Sequence, residues 1–181
     1  MNTIKNLKGS QKGFTLIEIL VVIGMIAILA TIVLIAINPA RQFAQTRNSQ
    51  RVSNVNTILN AYGQRVADNK GLFQSSTDPV CLAAMDIPST AVSEATAAKI
   101  CFTLAGCTGT TVNMRPCLVP TYMSELPVDP KSGTACVDST CTAGYDTAYT
   151  IWKDATTGRV TVFAPTASTV SELNQDIRVT R

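Results

Sequence analysis

One carboxylate sits where charge is hard to keep. Glu18 is the only ionisable side chain in the 24-residue stretch from Phe14 to Ile37, and burying it in a bilayer costs roughly 2.5–3.5 kcal/mol on insertion scales. A carboxylate held there calls for a cation equally short of water. The plainer alternative is a side chain that snorkels to the nearby interface. The next reactive set is Cys81, Cys101, Cys107, Cys117, Cys136 and Cys141, an even number confined to the chain after residue 80. That pattern predicts disulfides formed in an oxidising compartment, and the spacings lack the CxxC pairs of zinc sites. The short loop Val137 to Thr140 closes cheaply, which favours Cys136 with Cys141 as a local link and leaves the other pairings open. Asp129, Asp138 and Asp146 offer oxygen ligands for calcium, although their spacing matches no compact calcium loop, and solvated turn acids are the simpler reading. There is no histidine, which removes Ser-His and Cys-His nucleophiles and the HExxH metal helix. Most hydrolase chemistry is therefore not expected.

Those residues need elements to carry them. The 181 residues are 46 % apolar and 15 % charged, against about 25 % charged in an average soluble domain. Phe14 to Ile37 would span about 36 Å as a helix, enough to cross a bilayer and longer than the apolar core of a secretory signal. Lys5, Lys8 and Lys12 precede it; without them, twelve basic face twelve acidic groups. Arg41, Arg47 and Arg51 follow it, so charge alone does not orient the segment. The cysteines do, because disulfides form outside, which leaves the N-terminus in the cytoplasm. Beyond it, Asn38 can cap a new helix with Pro39 at its first position, or Pro39 can kink one long helix. Val52, Val55, Ile58, Leu59, Tyr62 and Val66 then recur at helical intervals, with Arg47, Arg51, Asn54 and Arg65 on the polar face. Ala91 to Phe102 reads as a short helix. Tyr145, Thr147, Tyr149 and Ile151 alternate with polar and small residues as in a half-buried strand. Arg159 to Ala164 reads as its partner across the Asp154 to Gly158 turn, and Asp176 to Thr180 as a third strand.

The run KGFTLIEILVVIGMIAILA, from Lys12 to Ala30, resembles the N-terminal signal of type IV pilins and type II secretion pseudopilins. The resemblance is close over about the first 35 residues. It implies an α+β pilin-like lollipop, a long transmembrane-plus-stem helix packed on a small antiparallel sheet. It also implies a leader over 1–13, a transmembrane helix over 14–37, an amphipathic stem over 38–70 and a disulfide-containing head over 71–181. A prepilin peptidase would cut between Gly13 and Phe14 and methylate the Phe14 amine, and Glu18 would pair with that amine on a neighbouring subunit during assembly. Leu126-Pro127-Val128-Asp129-Pro130 with the terminal hairpin is similar to major pseudopilins, many of which bind calcium nearby, but this chain carries Cys136 to Cys141 in that loop.

The resemblance thus implies a non-enzymatic structural subunit, without a cofactor, of a helical pilus serving adhesion, motility or uptake. Its partners would be copies of itself, the prepilin peptidase, an inner-membrane platform protein and an assembly ATPase. Before assembly it would be a single-pass protein of the inner membrane, and afterwards part of a surface filament or a periplasmic one. Two alternatives remain: a type II secretion pseudopilin forming a short piston, and a DNA-binding minor pilin using Arg47 and Arg51. A solvated or lipid-facing surface is the plainer reading of those arginines, whose face lacks interleaved aromatics.

Overall fold

The computed structural model describes residues 13–73, 81, 87, 96–104 and 107–181. The chain divides into two compact units, Met1–Pro39 and Ala40–Arg181.

In the first unit, helix α1 spans Leu16–Ala36. Thr15 caps it, its Oγ1 accepting the Glu18 amide hydrogen at 3.3 Å. Apolar residues cover every face of α1, and each described side chain from Gly13 to Ile35 is exposed. Leu16–Ile35 is long and apolar enough to cross a membrane. Its one mid-helix hydroxyl, Thr31, donates to the Ala27 carbonyl at 2.8 Å, so it asks nothing of a lipid. The helix stops at Ile37, which is extended (φ −101°, ψ 114°). Helix α2, Pro39–Asp68, then starts with Pro39 at its first position, where a missing N–H costs nothing.

The second unit packs α2 against a five-stranded sheet of order β2-β1-β3-β4-β5. The strands are β1 (Ala98–Phe102), β2 (Thr111–Val112), β3 (Tyr145–Lys153), β4 (Val160–Phe163) and β5 (Arg178–Thr180). β1 and β2 run parallel and the other pairs antiparallel. The hairpin and the C-terminal strand lie where the alternation places them. The helix read over Ala91 to Phe102 is corrected: Ala98–Phe102 is a strand, and 91–95 lie outside the described residues. Ile100 and Cys101 are buried in the sheet, a non-local context that overrides the weak local preference.

Val55, Ile58 and Leu59 of α2 join Ile100, Tyr149, Ile151 and Val162 of the sheet in one core, all at most 1 % exposed. A short helix, α3 (Arg115–Leu118), contributes Cys117 and Leu118 to it. Three disulfides close the unit: Cys81–Cys117, Cys101–Cys107 and Cys136–Cys141.

The outer face of the sheet carries a bulge. Pairing between β1 and β3 shifts register between Lys99 and Cys101, and Ala148 at the shift has φ +59°. A left-handed alanine costs roughly 1–2 kcal/mol. It is held by Asp146 Oδ1, which accepts the Ala148 amide hydrogen at 2.8 Å, and by Thr147 Oγ1, which donates to the Ile100 carbonyl at 2.8 Å.

Candidate functional site

Two places gather the residues that chemistry would single out, one in each unit.

The first is the start of α1. Phe14 is 79 % exposed and Leu16 83 %. Glu18 stands in the first turn of α1, where a carboxylate complements the positive end of the helix dipole. Thr15-x-x-Glu18 is also a capping-box pattern, a signal legible in the sequence that the cleavage and charge readings passed over. Burying a large apolar side chain is worth about 1.5–3 kcal/mol. The exposed side chains from Phe14 to Ile37 therefore represent on the order of tens of kcal/mol that only lipid or other chains can supply. A methyl built on Gly13 meets nothing within 4 Å, so the residue is not there to relieve crowding.

The second is a buried ion cluster between α2, the turn at Asp129 and the 3₁₀ turn Val170–Glu172. Arg51 Nε donates to Asp129 Oδ2 at 2.6 Å, and Arg51 Nη1 to Glu172 Oε2 at 2.7 Å. All three side chains have no exposed surface. Arg47 grips Glu172 with two bonds, Nε to Oε2 at 2.8 Å and Nη2 to Oε1 at 2.7 Å. Lys131 Nζ adds a third cation at 3.1 Å. Asn48 ties the cluster to the backbone, donating through Nδ2 to the Glu172 carbonyl at 2.7 Å while its Oδ1 accepts from Arg51 Nη1. Asn54 Nδ2 donates to the Val128 carbonyl at 3.0 Å and to the Tyr149 hydroxyl at 2.9 Å. The turn itself closes on Gly133, where a methyl would lie 2.5 Å from the Asp129 amide nitrogen.

This geometry corrects three expectations. The buried stripe of α2 runs through Ala44, Asn48, Arg51, Val55, Ile58, Leu59, Ala61 and Arg65, while Val52 is exposed. Arg51 and Arg65, read as polar-face residues, thus lie in the stripe. Arg65 is satisfied there by the Phe73 and Cys117 carbonyls at 2.7 and 2.9 Å. The DNA reading of Arg47 and Arg51 loses its footing, since Arg51 presents no surface to a phosphate and Arg47 is committed to Glu172. Asp129 is no solvated turn acid. Its Oδ1 also accepts from the Lys131 and Ser132 amides at 2.9 and 3.0 Å, which leaves little for calcium. Asp138 caps its own turn through the Thr140 and Cys141 amides, and Asp146 holds the bulge. Among the described residues, no three His, Cys, Asp or Glu side chains group as metal ligands. The cluster escaped a sequence reading because each member is an ordinary surface type and the partners lie far apart in the chain, from Arg51 to Glu172.

The cations set the acidity. Arg47 first, then Arg51 and Lys131, hold the Glu172 carboxyl down at about 2, against burial, which pushes it up. Burial also opposes ionisation of Asp129, but the Arg51 bond and the turn amides keep its carboxyl below the usual range. Folded values below unfolded ones mean stability that is complete above the ordinary carboxylate pKa and lost as pH falls through the folded value. Thermal melts of the full chain should therefore be flat above about pH 5 and fall steeply between about 4.5 and 2. Glu172→Gln should melt lower at neutral pH and show a shallower acid slope. An unchanged slope would mean that other carboxylates govern acid unfolding.

Residues 8–34 match the prokaryotic N-terminal methylation motif, the type IV pilin and pseudopilin signal. No curated protein and no solved structure gives a significant match.

Proposed function

We propose that this chain is a structural subunit of a type IV pilus-like helical filament. A prepilin peptidase removes residues 1–13 and methylates Phe14, and subunits assemble by packing 14–37 against one another. The carrying observation is an α1 that is apolar on every face, exposed at each described residue and lying almost wholly within the methylation motif of residues 8–34. Before assembly the segment anchors the subunit in the inner membrane with its N-terminus in the cytoplasm. A platform protein and a cytoplasmic ATPase drive extraction. The subunit catalyses nothing and needs no cofactor, calcium included. Residues 38–70 form the stem and 71–181 the head, exposed as a surface filament.

A type II secretion pseudopilus shares this assembly physics, and the Leu126–Pro130 turn gripped by α2 is the feature that favours it. Shearing cells at native expression separates the two, since long fibres containing the chain support the pilus and their absence the short piston.

Glu18 provides the test of assembly. Its loss leaves the Phe14 ammonium of a neighbour without a counter-charge, at a cost of about 2.5–3.5 kcal/mol. With a tenfold change per 1.4 kcal/mol, fibre yield from Glu18→Ala should fall about sixty- to three-hundredfold while leader removal continues. Normal fibre yield would overturn the pairing.

A further inference from the structure

A cavity of about 220 Å³ opens on the outer face of the sheet, beside the Asp129 turn, with Ser132 common to both. Its floor is Lys99, Asp146, Ala148 and Thr150, and its wall Ser132, Pro165 and Thr166. Three observations mark it as more than a surface dent. The strained left-handed Ala148 forms part of the floor, and such backbone outliers and bulges concentrate where ligands are held. Thr150 Oγ1 is buried and has no hydrogen-bond partner among the described residues. A buried polar atom without a partner is rare in a settled fold. The rim is locked by a 2.9 Å bond between the Ser132 and Thr166 hydroxyls, which joins the Asp129 turn to the 3₁₀ turn Pro165–Ser168.

The chemistry of the lining defines the occupant. Asp146 Oδ1 holds the Ala148 amide, while Oδ2 accepts no hydrogen bond among the described residues. Lys99 has a further interaction of its own, so the groups left to meet a ligand are the Asp146 carboxylate oxygen and the hydroxyls. Ser132 Oγ is taken by Asp129 Oδ1 and Thr166 Oγ1, so the Thr150 hydroxyl, the remaining lone pair of Thr166 Oγ1 and the Asp146 carboxylate oxygen are what a hydroxyl-bearing ligand would meet. The Pro165 ring and the Ala148 methyl match the C–H face of a saturated ring. The volume falls below the roughly 300–1,000 Å³ of pockets for drug-sized ligands, which limits the occupant to one ring. We propose that this cavity binds a single neutral sugar ring, a hexopyranose, through Asp146 and Thr150. One χ1 step of Thr150 exchanges its methyl for its hydroxyl at the cavity, giving the unpartnered oxygen its bond.

The test is saturation-transfer NMR on the full chain in a detergent without a sugar headgroup, using glucose, galactose, mannose and N-acetylglucosamine, with acetate and glycine as charged controls. At least one hexose should bind, with Kd on the order of millimolar. Thr150→Val should weaken it about three- to tenfold without lowering Tm, because the variant removes an unsatisfied polar atom. Asp146→Asn keeps the oxygen that holds Ala148 and should also weaken binding. It carries the test if Thr150→Val melts lower. No transfer from any hexose, preference for acetate or glycine, or undiminished binding in the correctly folded variants would overturn the assignment. None of these outcomes depends on whether the chain forms filaments.

Discussion

Arg51→Met should destabilise the protein by about 3–5 kcal/mol, because it removes the guanidinium that two carboxylates without exposed surface share. Methionine fills similar space, so the loss reports charge and hydrogen bonds rather than a cavity. Asp129 would keep the Lys131 and Ser132 amides, and Glu172 would keep Arg47 and Lys131. The double variant Arg51→Met, Asp129→Leu should recover part of the loss, since an apolar pair can replace a buried ionic one at little cost. Chemical denaturation of the full chain followed by near-UV circular dichroism measures both. A loss below about 1 kcal/mol, the level of a surface ion pair, would show that water reaches this cluster.

The second large effect concerns Gly13. Gly13→Val should reduce leader removal essentially to none, so that intact mass spectrometry of the cell-derived chain finds residues 1–13 still attached and Phe14 unmethylated. Because nothing lies within 4 Å of a methyl at this position, the substitution should leave the fold intact, and any block reports what a peptidase accepts. Normal maturation of the variant would remove Gly13 from the recognised motif.

The two units were legible in the sequence to different degrees. α1 could be read directly, because an uncharged apolar run with one early carboxylate has few structural solutions. β3 and β4 were also readable, since Tyr145, Thr147, Tyr149 and Ile151 alternate and the Asp154 to Gly158 turn chemistry stands between them. β1 was missed: Ala98 to Phe102 carries no alternation of its own and becomes a strand only by lying between β2 and β3. In α2, Val55, Ile58, Leu59 and Tyr62 face the core as their spacing predicts, and the two arginines were misplaced for a related reason. Val52 and Val66 extend an apolar pattern, whereas the fold buries Arg51 and Arg65, whose burial makes sense only once Asp129, Glu172 and two backbone carbonyls are brought to meet them. Periodicity counts residue types, and a guanidinium counts as polar until its distant partner is known.

Arg51 and Glu172 stand 121 residues apart, and the loop their bond closes also takes in Asp129. Neither α2 nor the Val170–Glu172 turn can open alone without uncovering a charge that has no exposed surface. The amides around Arg51 and those of that turn should therefore exchange with deuterium in one concerted opening.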